Sequence, residues 1–410
     1  MGAELGATTS IFPSDEMTKT FFTAQKRLED WQELKADSDA SYDDVIELDL
    51  AEIVPNIACP HSPDNVKTVA EIEGLLVDQV LVGSCTNSSY RDLMVIAKML
   101  KGKKVHPKVS FGVAPGSRQV LDMIARNGAL SDLIESGARI LESTCGFCVG
   151  CGQAPQSQGV SLRSNNRNFE GRSGTKDGQV YLVSPETAVA AAITGKVTDP
   201  RQLGMEYPQI VLPEEYLIDD SMVVLPSNDS SVEVRRGPNI GDPPANTKMP
   251  KTLVASVGIK VGDKITTDHI MPAGPYLKYR SNIPKYGNYV FYHEDPEFAN
   301  RCRSNKEQGM NTIVLAGQSY GQGSSREHAA LCPMYLGVRV VLAKSIERIH
   351  SANLVNFGIW QLTFKDETDY DQIELGHVLE VDDVAGERKN HEVIIHNRTT
   401  GVSYIALSNL

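Results

Sequence analysis

Four cysteines carry the most chemistry in this sequence. Cys145, Cys148 and Cys151 are packed into Thr144-Cys145-Gly146-Phe147-Cys148-Val149-Gly150-Cys151, and Cys85 lies far upstream in Gly83-Ser84-Cys85-Thr86-Asn87-Ser88-Ser89. A Cys-x-x-Cys pair with a distant third thiolate suits an iron–sulfur cluster or zinc, and the glycines let the backbone approach a metal closely. Spacing alone leaves open a structural zinc on Cys85, Cys145, Cys148 and Cys151, and equally a set of buried free thiols. Cys59, Cys302 and Cys332 stand by themselves and read as core or surface thiols.

Two further segments place charged and nucleophilic side chains beside glycines. In Ser164-Asn165-Asn166-Arg167-Asn168-Phe169-Glu170-Gly171-Arg172, Arg167 and Arg172 can clamp carboxylates through bidentate, charge-assisted hydrogen bonds. In Gly317-Gln318-Ser319-Tyr320-Gly321-Gln322-Gly323-Ser324-Ser325-Arg326-Glu327-His328, a Gly-rich turn opens a helix and offers an anion free backbone N–H groups and the positive dipole end. The competing reading is that Ser324 or Ser325 merely caps that helix. Upstream, Asp268 and Arg280 flank a Gly274-Pro275 turn, where Asp268 serves equally well as a turn or cap residue.

The elements that must position these residues alternate strand and helix. Residues 77–82 form a short apolar run, and 88–100 carry Leu93, Met94, Ile96, Ala97 and Leu100 at helical spacing. Strands follow at 108–113, 139–142, 160–163 and 179–183, with a helix opening at Ser117 and another at Ser184-Pro185-Glu186, an N-cap, a proline at the first helical position and an acid at the dipole's positive end. Such alternation predicts a parallel sheet, in which the loops after the strands share one edge where ligands bind. Cys85, Cys145, Cys148, Arg167 and Arg172 all follow such strands, so they can meet in space. Between 199 and 250 the chain is rich in Pro and Asp and loses periodicity, which reads as a linker. A second αβ domain follows from Lys251, with strands at 253–257, 312–316 and 338–342 and a final hairpin at 392–405.

Length and composition fit this plan. A chain of 410 residues with 41% hydrophobic content can bury two or three domain cores. A net charge of −12 argues against non-specific nucleic-acid binding, so an anionic substrate needs a local arginine cluster. Seven cysteines with no secretory leader favour metal or free thiols over disulfides, and no stretch is long and apolar enough for a membrane span. These features place the chain in the cytoplasm.

The motifs MGAELGATTS, GSCTNSSYRDL, CGFC, NNRNFEGR, TTDHIMPAGPYLKYR and GQGSSREHAA together resemble the aconitase family, in the family's order and over essentially the whole chain. The resemblance implies a three-layer α/β/α parallel-sheet domain carrying a cluster, a linker, and a swivelling β/β/α domain. Its boundaries would be a remnant of a preceding domain over 1–60, the iron–sulfur domain over 61–200, the linker over 201–250 and the swivel over 251–410. It implies a 4Fe-4S cluster on Cys85, Cys145 and Cys148 with one iron open to substrate, and leaves Cys151 as an extra thiol. Ser324 matches the base, Ser325 and Arg326 its substrate-binding neighbours, and Arg167, Arg172 and Arg280 the ligands of substrate carboxylates. Glu4 matches an acid near the open iron, Asn166 a cluster-side asparagine, and Asp268 an acid beside the substrate.

The activity so implied is conversion of citrate to isocitrate through cis-aconitate. Family members carry two further domains before the Gly-Ala-Glu loop, including an Asp-His pair that protonates the leaving hydroxyl. Because this sequence starts inside that loop, the expectation is a chain inactive alone, either a truncated product or a subunit completed by a separate N-terminal aconitase polypeptide. Two relatives in kind compete: a hydro-lyase acting on isopropylmalate or homoaconitate, and an RNA-binding iron–sulfur protein, which the acidic balance disfavours. A structural zinc protein accounts for the cysteines but not for the serine and arginine loops.

Overall fold

The computed structural model describes residues 10–233, 235–323, 326–387 and 391–408, and the chain divides into two units, Ile11–Val232 and Glu233–Leu410. Both are mixed α/β with parallel strands at their centres.

In the first unit seven strands form one sheet: β1 (Asn56–Ala58), β2 (Val66–Thr68), β3 (Gln79–Gly83), β4 (Ser110–Ala114), β5 (Arg139–Ile140), β6 (Val160–Arg163) and β7 (Gln179–Leu182), ordered β2-β1-β7-β6-β3-β4-β5. The strands from β7 to β5 are parallel, as the alternating pattern predicts, while β1 and β2 add an antiparallel edge hairpin that the sequence reading did not anticipate. After α1 (Glu16–Ala24), the helices α2 (Tyr90–Leu100), α3 (Arg118–Arg126), α4 (Ala129–Ser136) and α5 (Pro185–Thr194) supply the covering layer. Ser89 caps α2 by accepting from the Asp92 N–H, with the Asp92 carboxylate reaching back in a capping box, and Ser184 caps α5 just before Pro185. Val80 and Val82 of β3 face the core beneath α2, α4 and α5. The alternate residue Leu81 faces the other side, where it meets Ala114, Leu141 and Phe147 of the cysteine loop. One face of the sheet thus receives helices, and the other receives the loop that carries the chemistry.

Between Gly204 and Thr252 no described residue lies in a helix or strand, in keeping with the Pro-rich composition. The second unit then closes β8 (Leu253–Val261), β9 (Asn311–Ala316), β10 (Val338–Ala343), β11 (Trp360–Phe364), β12 (Val378–Val381), β13 (Glu392–Asn397) and β14 (Ser403–Ser408) into a barrel ordered β10-β11-β14-β13-β12-β8-β9. Strands β8 to β11 pair in parallel and are buried on both faces, inside against Leu362, Val393 and Tyr404 and outside under helices. Those helices are α6 (Thr267–Ile270), α7 (Ile283–Tyr286), α8 (Phe298–Glu307), α9 (His328–Leu336) and α10 (Arg348–Asn356). The expected terminal hairpin, β13 with β14, is antiparallel and alternates exposed with buried residues, because only its inner face is covered.

Candidate functional site

In the first unit the three expected cysteines follow β3 and β5 at the carboxyl ends of parallel strands. The loop after β3 is braced by Ser164 at the end of β6: the Gly83 N–H donates to its hydroxyl at 2.9 Å and the Asn87 amide to its carbonyl at 2.5 Å. Cys145 precedes a single 3-10 turn over Phe147–Val149, capped by Gly146, and Cys148 is the middle residue of that turn. Cys148 is buried, whereas Cys85, Cys145 and Cys151 are exposed. Burial raises the Cys145 thiol, the charges of Cys148 and Cys85 raise it further, and Arg172 opposes them, so the Cys145 sulfur lies in the field of both other cysteines.

Arg172, itself buried, donates to the Cys148 sulfur at 3.5 Å. Its loop and the cysteine loop touch directly at Gly150, whose φ of 82° and 2.2 Å spacing from an added Cβ to the Ser173 carbonyl oxygen leave no room for a side chain. Arg167 and Asn166 are half-buried in the same segment. Several buried polar atoms around this edge have no hydrogen-bond partner among the described residues: Thr86 Oγ1, both amide atoms of Asn165, Asn166 Oδ1 and Ser173 Oγ. Orphans of this kind are what a polar or charged group seated at the edge would satisfy. Among the described residues no three His, Cys, Asp or Glu side chains are grouped tightly enough to hold a single metal ion.

In the second unit the Gly-rich loop runs beside the start of α6. Thr266 bridges Gln322 in parallel, the Thr267 N–H donates to the Gln322 carbonyl at 3.0 Å and the Gly321 N–H to the Ile265 carbonyl at 2.7 Å. Asp268 and Arg326 form an ion pair at 2.8 Å with side chains only 10% and 17% exposed, and Arg326 also reaches the Met271 carbonyl. Asp268 is therefore no turn or cap residue; the cap of α6 is Thr266, boxed with His269. The N-cap position of α9 falls on Glu327. Arg280 is exposed, and its carbonyl lies 2.9 Å from the His328 ring. Glu4, Ser324 and Ser325 lie outside the described residues.

Sequence reasoning missed Arg163 and His350. Arg163 is fully buried on β6, and the signal for it was a lone charge in a short strand of a parallel sheet. His350 is fully buried on α10 against Tyr320 and Gly321, with neither ring nitrogen bonded among the described residues. Burial pulls its pKa from the ordinary 6.5 to about 4. A histidine that binds its proton less well when folded gives the folded state an advantage that is complete above pH 6.5 and is lost as pH falls toward 4. Urea unfolding of the second unit should therefore lose about 3 kcal/mol over that window, and His350→Gln should flatten the dependence.

Comparison with known proteins adds three findings. The profile of the aconitase family (aconitate hydratase) matches residues 1–73 and 66–195, and that of the aconitase C-terminal domain matches 277–367. Mitochondrial homocitrate dehydratase of Saccharomyces cerevisiae is 34% identical over 95% of this chain and 58% of its own length. Mitochondrial aconitate hydratase of the same yeast is 33% identical over 91% and 56%, and the probable aconitate hydratase of Caenorhabditis elegans is 32% identical over the same shares. The chain thus spans a little more than half the length of these relatives. Among solved structures, 3-isopropylmalate dehydratase of Methanocaldococcus jannaschii is 24% identical over 39% of this chain and 83% of its own, with a TM-score of 0.30, a likeness too slight to bear on fold or function. The mitochondrial relatives overturn the cytoplasmic placement. That placement rested on the lack of a secretory leader and a membrane span, and no described helix is long and apolar enough to cross a membrane, but neither feature separates the cytoplasm from the inside of a mitochondrion.

Proposed function

The chain belongs to the aconitase family, and from that premise we propose that it carries the cluster-binding and base-bearing parts of a hydro-lyase that moves a hydroxyl between adjacent carbons of a tricarboxylate. The observation that carries this reading is the grouping of Cys85, Cys145 and Cys148 in one field at the carboxyl edge of a parallel sheet, with Arg172 on the Cys148 sulfur. The donor set fits an iron–sulfur cluster: three thiols, a guanidinium to offset their charge, and orphaned amide and hydroxyl groups beside them. A 4Fe-4S cluster held by these three cysteines would supply a Lewis acid for the substrate hydroxyl through its open iron.

The remaining steps belong to side chains. Ser324 removes the C–H proton, and Arg280, Arg326 and Ser325 hold substrate carboxylates, as do Arg167 and Arg172. Guanidinium donors stabilise the charge that builds on a carboxylate as the proton leaves. Asp268 fixes Arg326, Asn166 lines the cluster side, and Glu4 serves as an acid near the open iron.

Citrate is the first substrate to test. The resemblance to homocitrate dehydratase favours a second, one methylene longer. The chain, reconstituted anaerobically with iron and sulfide, should show a cluster spectrum that shifts on titration with citrate or homocitrate and not with isopropylmalate. Zinc without sulfide would overturn the cluster reading, and a response to isopropylmalate alone would overturn the choice of substrate.

A further inference from the structure

Arg163 contacts no solvent, yet it carries a charge and pairs with no carboxylate among the described residues. Its Nε donates to the Ser161 hydroxyl at 3.0 Å, Nη1 to the Phe147 carbonyl at 2.5 Å, and Nη2 to Gln79 Oε1 at 3.0 Å and to the Gln153 carbonyl at 2.9 Å. Gln79 lies on β3, the strand that ends in the Cys85 loop, and it also accepts from Ser161 at 2.8 Å. Phe147 sits between Cys145 and Cys148, and Gln153 lies two residues past Cys151, so one rigid fork ties β3, β6 and both ends of the cysteine loop. The Phe147 ring adds a cation–π contact 5.9 Å from the guanidinium.

We infer that Arg163 is a positioning residue for the cluster, fixing the Cys145–Cys148 turn from beneath and balancing the charge of its thiolates from inside the protein. This deepens the cluster reading above and rests on it. The physical case is one of geometry and charge. A buried cation is tolerated only when its donors are satisfied and a counter-charge is near. Carbonyl, amide and hydroxyl oxygens satisfy the donors, and burial lowers the guanidinium to about 10 while the charge at Cys148 raises it again. Arg163 therefore stays protonated at neutral pH, with the thiolate side as its counter-charge. Lysine keeps the charge but cannot reach four acceptors in the fixed planes of a guanidinium.

The test compares the reconstituted chain with Arg163→Lys and Arg163→Gln, reading sulfide per chain, the rate of iron release to a chelator, and the midpoint potential. Groups that orient metal ligands typically change metal affinity by 10- to 100-fold, so Arg163→Lys should release iron about 10-fold faster at nearly unchanged potential. Arg163→Gln should release it at least as fast and shift the potential downward, since a positive charge has gone. If Arg163→Gln fails to fold, Arg163→Lys decides the matter by its release rate. Release from Arg163→Lys at the rate of the unaltered chain would overturn this inference alone, whereas an unaltered chain that takes up no sulfide would overturn the cluster reading together with it.

Discussion

Cys148→Ser is expected to retain almost no sulfide after anaerobic reconstitution, while Cys151→Ser retains as much as the unaltered chain, about four sulfides. Both thiols sit in the same short loop, and their surroundings differ. Cys148 is buried, receives the Arg172 guanidinium at 3.5 Å, and its charge acts on Cys145. Cys151 is exposed, its N–H folded back onto the Gly146 carbonyl at 2.9 Å. A thiolate bound to iron keeps negative charge that a neighbouring donor offsets, and the Arg172 guanidinium is such a donor on the Cys148 sulfur. Cys85→Ser and Cys145→Ser should behave like Cys148→Ser. Elemental analysis for iron, sulfide and zinc decides it. Loss of metal in Cys151→Ser, with zinc bound in place of sulfide by the unaltered chain, would mean a four-thiolate zinc site and would sink the open-iron reading.

Local physics explains which features were legible in the sequence. The apolar run before Cys85, the helix ending at Leu100 and the Ser184-Pro185 start all appear where expected, because caps and periodicity act over a few residues. That the cysteine and arginine loops share a sheet edge was also readable, since parallel order places every strand's end on one side. Long-range pairing was not. Closure of β8 to β14 into a barrel, and the edge hairpin of β1 with β2, depend on registers between segments far apart in sequence. The same holds for side chains whose roles come from distant partners. Asp268 looks like a turn residue until Arg326 stands against it, and Arg163 looks like a strand-end charge until Phe147 and Gln153 accept its protons. His350 gave no signal at all, because its significance lies in burial without a hydrogen-bond partner among the described residues.

Arg326→Met should destabilise the second unit by about 3–5 kcal/mol, the usual cost of breaking a buried ion pair from one side. Asp268, only 10% exposed, would lose the guanidinium that stands 2.8 Å from it. Asp268→Asn should cost less, since asparagine can still accept from the guanidinium and the cation keeps the Met271 carbonyl at 3.3 Å. Asp268→Asn with Arg326→Met should recover part of the loss, and the coupling read from the four urea-unfolding curves measures the pair itself. The pair also bears on binding. An arginine already held by an aspartate is fixed in one orientation before any ligand arrives, which lowers the entropy lost when a carboxylate docks on its remaining donors. Asp268→Asn should accordingly weaken citrate binding by the reconstituted chain while leaving its iron content intact. Single-variant stabilities within about 0.5 kcal/mol of the unaltered chain would show instead that the pair is solvated and exerts no such hold.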